Sequence, residues 1–172
     1  MKTRKTALKI IICLVLFCIG APKNKMPQIW LDETGLYINY LRITKDISPE
    51  LLMSKFGIPD KITFKECTSW TYNKYGLIAY INPELQSIDG ISLNFQKENY
   101  SISPKQTFSG KLVLFGTDFS EFSTLQSISE LGKPIIENYP FHAYRVLKSK
   151  HTLTFINSRH SNDIVSIIIS LK

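Results

Sequence analysis

The sequence predicts an α+β protein made of two tandem repeats, each a short helical segment packed on an antiparallel β-sheet. Three observations carry that expectation. Short alternating runs such as Ile91-Ser92-Leu93-Asn94-Phe95 follow one another, broken by glycine, asparagine or proline. Two short segments read as helices that close on glycine and then proline, at Phe56-Gly57-Ile58-Pro59 and Leu131-Gly132-Lys133-Pro134. Those closures lie 75 positions apart, and the residues upstream of them recur at the same offset.

The N-terminus is set aside before the fold is read. Lys2, Arg4, Lys5 and Lys9 precede an apolar run from Ile10 to Ile19 that stops at Gly20-Ala21-Pro22. This is the pattern of a secretory signal over residues 1–22, and the run is shorter than the ~20 apolar residues that span a bilayer. Cys18 raises lipid attachment, against which stands the bulk of Phe17 just before it. The leader holds four of the 21 basic residues and none of the 14 acidic ones, so the rest carries 17 against 14, a balance of +3. Basic residues elsewhere are scattered, and a nucleic-acid partner loses its support. The reading is an exported protein of the periplasm, envelope or exterior, touching a membrane only if the leader is kept or lipidated. Cys13 and Cys18 fall in the leader, which leaves Cys67 without an internal disulfide partner and expected as a small buried hydrophobe.

Residues 23–28 read as a tether. The stretch Ile29 to Leu41 then gives two apolar runs joined by Asp32-Glu33-Thr34-Gly35, a hairpin. Ser48-Pro49-Glu50 is a helix start, with a hydroxyl cap, proline at the first helical position and an acid where the helix dipole favours it. Leu52, Met53 and Phe56 fall on one side, and Gly57 and Pro59 end the helix. Strands are expected over 65–72, 77–82 and 87–96. At an offset of 75, Gly35 maps to Gly110, Ser48 to Ser123, Met53 to Ile128, Phe56 to Leu131, Gly57 to Gly132 and Pro59 to Pro134. Strands follow again at 142–147, 152–157 and 164–171. The repeats are therefore placed at 29–100 and 101–172.

The helix ended by Gly57-Ile58-Pro59, then Trp70-Thr71-Tyr72 and Ile91-Ser92-Leu93-Asn94-Phe95, resembles the BamE/SmpA-type envelope domain. The tandem form is similar to the architecture of β-lactamase inhibitor proteins. The resemblance implies two units side by side that offer a sheet surface to a partner protein. Phe56 stands where that family has leucine, and Tyr144-Arg145-Val146 replaces Trp-x-Tyr in the second half.

No constellation of residues names a reaction. His142, His151 and His160 recur at intervals of nine, an odd spacing that sets neighbours on opposite strand faces, and neither a metal nor a cofactor is expected. Cys67 has no flanking glycine or helix start to activate it, and no Gly-x-Ser-x-Gly elbow occurs. The carboxylates sit in turns and helix starts, where capping and solvation explain them. A small hydrolase or ligand-binding enzyme using the histidine-bearing half is the alternative.

With Ile91, Leu93 and Phe95 inward, the opposite sheet face carries Ser92, Asn94 and Gln96, matched by Ser166 and Ser170, with Thr152 and Thr154 alternating likewise. A neutral hydroxyl- and amide-rich face suits partner recognition, since little charge is desolvated on docking. Tyr75 and Tyr80 are expected to be exposed and to act as aromatic anchors, while Trp70 and Tyr72 face the core. The expected function is non-catalytic binding of another protein, as an inhibitor, an immunity-type neutraliser or an envelope-assembly accessory.

Overall fold

In the computed structural model the described residues are 26–171 without 45–46, 65–66, 98–100, 133–134, 139–141, 159–160 and 162; for 135–138 and 142 the backbone alone is described. The leader and residues 23–25 of the tether lie outside this range.

Period-two alternation of apolar and polar residues dominates the described chain, and strands dominate the fold. The class is α+β with the sheets far outweighing the helices. One sheet has five strands: β1 (Gln28–Leu31), β2 (Leu36–Ile38), β3 (Leu41–Ile43), β8 (Lys111–Leu114) and β9 (Thr117–Phe119), in the order β3-β2-β1-β8-β9. The other has eight: β4 (Lys61–Phe64), β5 (Thr68–Tyr72), β6 (Leu77–Asn82), β7 (Ser87–Asn94), β10 (Ile135–Asn138), β11 (His142–Lys148), β12 (His151–Asn157) and β13 (Ile164–Ser170), in the order β10-β11-β12-β13-β7-β6-β5-β4. All pairings are antiparallel except β1 with β8. The sequence pattern did not resolve β3, β4, β8, β9 and β10 as separate strands.

Two helices complete the fold, α1 (Pro49–Phe56) and α2 (Leu125–Leu131). Each is about two turns long and too short to persist alone, so packing holds it. Leu52 and Phe56 of α1, and Ile128 and Leu131 of α2, are buried. Met53, expected inward, is only half-buried. The fully buried counterpart of Ile128 is Leu52, because α1 has eight residues and α2 seven, so their starts are offset by 76 and their closing glycines by 75. The cap residues also differ from expectation. Ser48 is the N-cap of α1, but its hydroxyl donates to the Glu50 carboxylate and not to the helix backbone. In the second half the N-cap is Thr124, whose N–H donates to Ser127 Oγ at 3.4 Å, while Ser123 Oγ accepts from the Ser120 N–H at 2.9 Å.

Gly57 has φ +84° and Gly132 φ +150°, conformations that L side chains resist. With ψ near −170° and −177° neither is the left-handed helical cap that was expected, but both demand glycine. The Gly57 N–H still closes α1 onto the Met53 carbonyl at 2.8 Å.

The core lies between the sheets and under the helices. Ring contacts mark its layers: Phe119 of β9 meets Phe155 of β12 at 5.6 Å, and Phe56 of α1 meets Tyr72 of β5 at 5.5 Å. Ile91, Leu93, Leu153, Phe155, Ile167 and Ile169 are all fully buried, as the alternation predicts. Trp70 and Tyr72 also face the core. Cys67 departs from its expected burial, because it is exposed; it sits beside the start of β5, not within its buried pattern.

The strand order reads the same outward in both directions. From the β7–β13 junction the large sheet runs β7-β6-β5-β4 one way and β13-β12-β11-β10 the other; the small sheet runs β2-β3 and β8-β9 outward from β1. The halves therefore do not own separate sheets, and each sheet takes strands from both. Registers follow the same rule. The β7–β13 ladder pairs Asn94 with Ser166, Leu93 with Ile167, Ser92 with Ile168, Ile91 with Ile169 and Gly90 with Ser170. Exchanging each residue for the one 76 positions away leaves that ladder unchanged. The bulges obey it too, at Tyr80/Ile81 and Ile156/Asn157.

The connection from β7 to β8 folds back on the large sheet. Thr71 Oγ1 donates to the Ile102 carbonyl at 3.1 Å, Asn73 Oδ1 accepts from the Lys105 N–H at 2.9 Å, and the Phe108 N–H donates to the Asn94 carbonyl. Gly76 makes this close approach feasible. At φ +61° it is left-handed, and a Cβ there would stand 2.2 Å from the Phe108 nitrogen.

Candidate functional site

The large sheet has one face in the core and one turned away from it. On the outer face a row of register partners crosses six strands: Arg145, Thr154, Ile168, Ser92, Ile78 and Thr71. A parallel row holds Leu147, Thr152, Ser170, Gly90, Tyr80 and Ser69. Exposure changes along both rows. In the second half Thr152, Thr154, Ile156, Ile168 and Ser170 are half-buried and Leu147 is 56% exposed. In the first half Ser69, Thr71, Ile78 and Ser92 are buried.

This corrects part of the expected binding face. Ser92, Asn94 and Ser166, at 3%, 3% and 2% exposure, are not available to a partner. Ile102 of the connecting segment lies on Thr71, and the small hydroxyl of Ser166 sits between the larger side chains of its register partners, Asn94 and Ile156. Gln96 and Tyr80 are half-buried, and Tyr80 has a bonding partner. Tyr75 is also half-buried, because its ring packs edge-on against Phe56 of α1 at 5.3 Å, with Lys74 Nζ 5.5 Å from the ring centre. Thr152, Thr154 and Ser170 keep the partial exposure that was expected. What survives is a neutral strip on β12–β13 in which Ile156 and Ile168 supply the apolar groups, bordered on β11 by the exposed Leu147 and the half-buried Arg145, the register partner of Thr154.

Sequence reasoning missed an aromatic cluster on the small sheet. Trp30 of β1 stacks on its register partner Tyr37 of β2 at 5.1 Å between ring centres, and Tyr40 meets Trp30 edge-on at 5.2 Å. Tyr40 is 80% exposed and has φ +67° in the turn from β2 to β3, next to Asn39 at +50°. Asparagine tolerates that conformation; a bulky residue is strained in it. The signal in the sequence was the Asn39-Tyr40 pair between two apolar runs, where a tight hairpin turn favours asparagine followed by glycine.

The histidines do not come together as a site. His151 is 4% exposed at the start of β12, on the core side, while His160 and the His142 side chain lie outside the described residues. Among the described residues no three metal-ligating side chains cluster. Asp32 shapes the first hairpin: its Oδ1 accepts the N–H groups of Thr34 and Gly35 at 2.7 and 3.1 Å and also the Thr34 hydroxyl. Those bonds, led by the Thr34 hydroxyl, hold its carboxyl below the ordinary range. Burial without a partner for its hydroxyl drives Tyr72 strongly upward, so it stays neutral.

Two solved structures are similar to the chain. An extracellular protein containing a SCP domain from Bacillus anthracis str. Ames matches 76% of this chain and 44% of its own length, at 10% identity and a TM-score of 0.49. A DUF4309 family protein (YjgB) from Bacillus subtilis subsp. subtilis str. 168 matches 73% of this chain and 78% of its own length, at 11% identity and a TM-score of 0.45. No curated protein matches the sequence. A family model covers residues 28–129, from the first residue of β1 into α2, and so takes in the whole five-stranded sheet together with β4–β7. That span is more than half of the chain, which therefore belongs to the DUF7738 family, a domain of unknown function.

Proposed function

We propose that this is an exported, non-catalytic protein-binding module. Two tandem α+β repeats, at 29–100 and 101–172, interleave their strands about a two-fold axis through the Ser92–Ile168 pair, and the module docks its partner on the outer face of β11–β13. The leader pattern in residues 1–22 supports export, and among the described residues no helix is long and apolar enough to cross a membrane. The palindromic strand order and the self-matching β7–β13 ladder support the duplication. A partner-binding role is also what the resemblance to BamE/SmpA-type domains and β-lactamase inhibitor proteins implies.

The observation that carries the docking reading is the neutral strip itself. Thr152, Thr154, Ile156, Ile168 and Ser170 on β12 and β13 are half-exposed and uncharged, with the exposed Leu147 and the half-buried Arg145 of β11 at their border. Solvated sheet faces usually hold lysine and glutamate, whereas a neutral face with scattered apolar groups is cheap to desolvate. The test is capture of a stoichiometric partner from an envelope extract by the wild type and by T154K and I168K. The reading expects the charged variants to lose the partner with their melting temperatures unchanged, and retention of the partner by both would refute it.

A second placement of the partner is favoured by Tyr40. A solvent-exposed aromatic ring held against its own backbone preference, and braced by Trp30, has the character of an interface anchor.

A further inference from the structure

We infer that His151 is an acid-sensitive latch at one end of the sandwich. The residue is 4% exposed, and neither Nδ1 nor Nε2 completes a well-formed hydrogen bond, although the Ser170 backbone lies near enough to favour the charged ring. A neutral polar ring buried in this way costs stability, and a charged one costs far more, because hydration is lost and no well-formed bond replaces it. The site does not fill the core better than an apolar side chain would. What it adds is a response to protons.

The surroundings define where the response goes. On its own hairpin His151 has Lys150 as neighbour, which adds positive charge near the ring, and Lys148 as register partner, whose ammonium sits over the Phe115 ring at 4.7 Å. The β1–β2 turn brings Glu33 and Asp32, with Arg42 behind Asp32, and β13 brings the Ser170 backbone. Burial and then Lys150 lower the affinity of the ring for a proton; Glu33, the Ser170 backbone and Asp32 oppose them, and the net direction is below the ordinary 6.5. In an unfolded or locally open chain the ring is solvated and titrates near the ordinary value. The open form therefore binds more protons than the closed form, and acid favours opening. The closed latch is fully stable above pH 6.5, and its advantage falls as pH drops from there toward the depressed value. Within that window the opening equilibrium grows by at most about tenfold per pH unit, the limit for a single proton.

The ring can reach water only by displacing what lies over it. The elements that give way are the turn at residues 149–150 and the turn at 32–35, while the β7–β13 ladder stays paired. This inference stands on the burial of His151 and does not depend on the docking proposal, although Thr152 of the neutral strip is the next residue.

Amide hydrogen exchange on the full chain at pH 7.5 and 5.5, corrected for intrinsic rates, tests it. The expected result is opening at residues 150–153 and 32–36 that rises in acid by up to about tenfold, with residues 91–93 unchanged, and no such rise in H151F. An equal rise in H151F, or none in the wild type, would overturn the latch. Should H151F fail to fold, the C2 proton of His151 followed by NMR in the wild type decides: a midpoint below 6.5 supports the latch and one at or above 6.5 overturns it.

Discussion

Ser92 on β7 faces Ile168 on β13, and these two residues are each other's equivalents at an offset of 76. Every other pair in the ladder has a mirror pair on the far side of this one. Such a self-matching register is what the proposed duplication expects. The symmetry ends at β1, which stands alone at the centre of the small sheet between β2 and β8, its parallel neighbour. Exposure breaks the symmetry as well, since Ser92 is buried while Ile168 is half-exposed.

The register of α1 makes the first prediction. Leu52 is fully buried and Met53 half-buried, so L52A should lower stability by about 2–5 kcal/mol and M53A by much less. Chemical denaturation of both variants measures the difference; equal losses would put the helix in the other register.

Helix closure makes the second. Open space surrounds the position a Cβ would take on Gly57, so the cost of G57V is backbone strain alone, about 1–3 kcal/mol at φ +84°. A melting curve unchanged from wild type would mean that α1 does not end as described.

The connection between the halves makes the third. A Cβ on Gly76 would collide with backbone at Phe108 and Thr107, which cannot swing aside as a side chain would. G76A should therefore loosen the 101–108 segment and raise proteolysis there, as well as lowering the melting temperature. Protease resistance equal to wild type would show that the segment does not lie on the sheet.

Tyr40 makes the fourth. Replacing it with glycine relieves a strained φ but gives up the edge contact with Trp30, worth about 0.5–1.5 kcal/mol, so Y40G should change stability by less than about 1 kcal/mol. A thermal melt that falls much further would mean that the ring serves the fold and not a partner.

Much of this architecture was legible in the residues. Alternation placed Ile91, Leu93, Ile167 and Ile169 inward because strand geometry leaves a side chain only two directions. The glycine and proline closures located both helix ends. The sharing of sheets was not legible, because which strands pair across 70 residues is decided by the packed core and leaves no local mark. Ser92, Asn94 and Ser166 are covered, against expectation, for a related reason. Parity gives the side of a strand, but whether that side is bare depends on what crosses it, and the 101–108 segment carries no periodic signal. His151 could have been found, since the parity that buries Leu153 and Phe155 also buries the residue two positions earlier.

Site-specific photo-cross-linking in cells, with the probe placed in turn at positions 154, 168, 40 and 118, tests the docking proposal most directly. The expected result is one discrete protein adduct from positions 154 and 168 and none from 40 or from the exposed Asp118 of β9. Adducts from position 40 alone would move the interface to the small sheet, and the absence of any adduct from 154 and 168 would contradict docking on the outer face of β11–β13.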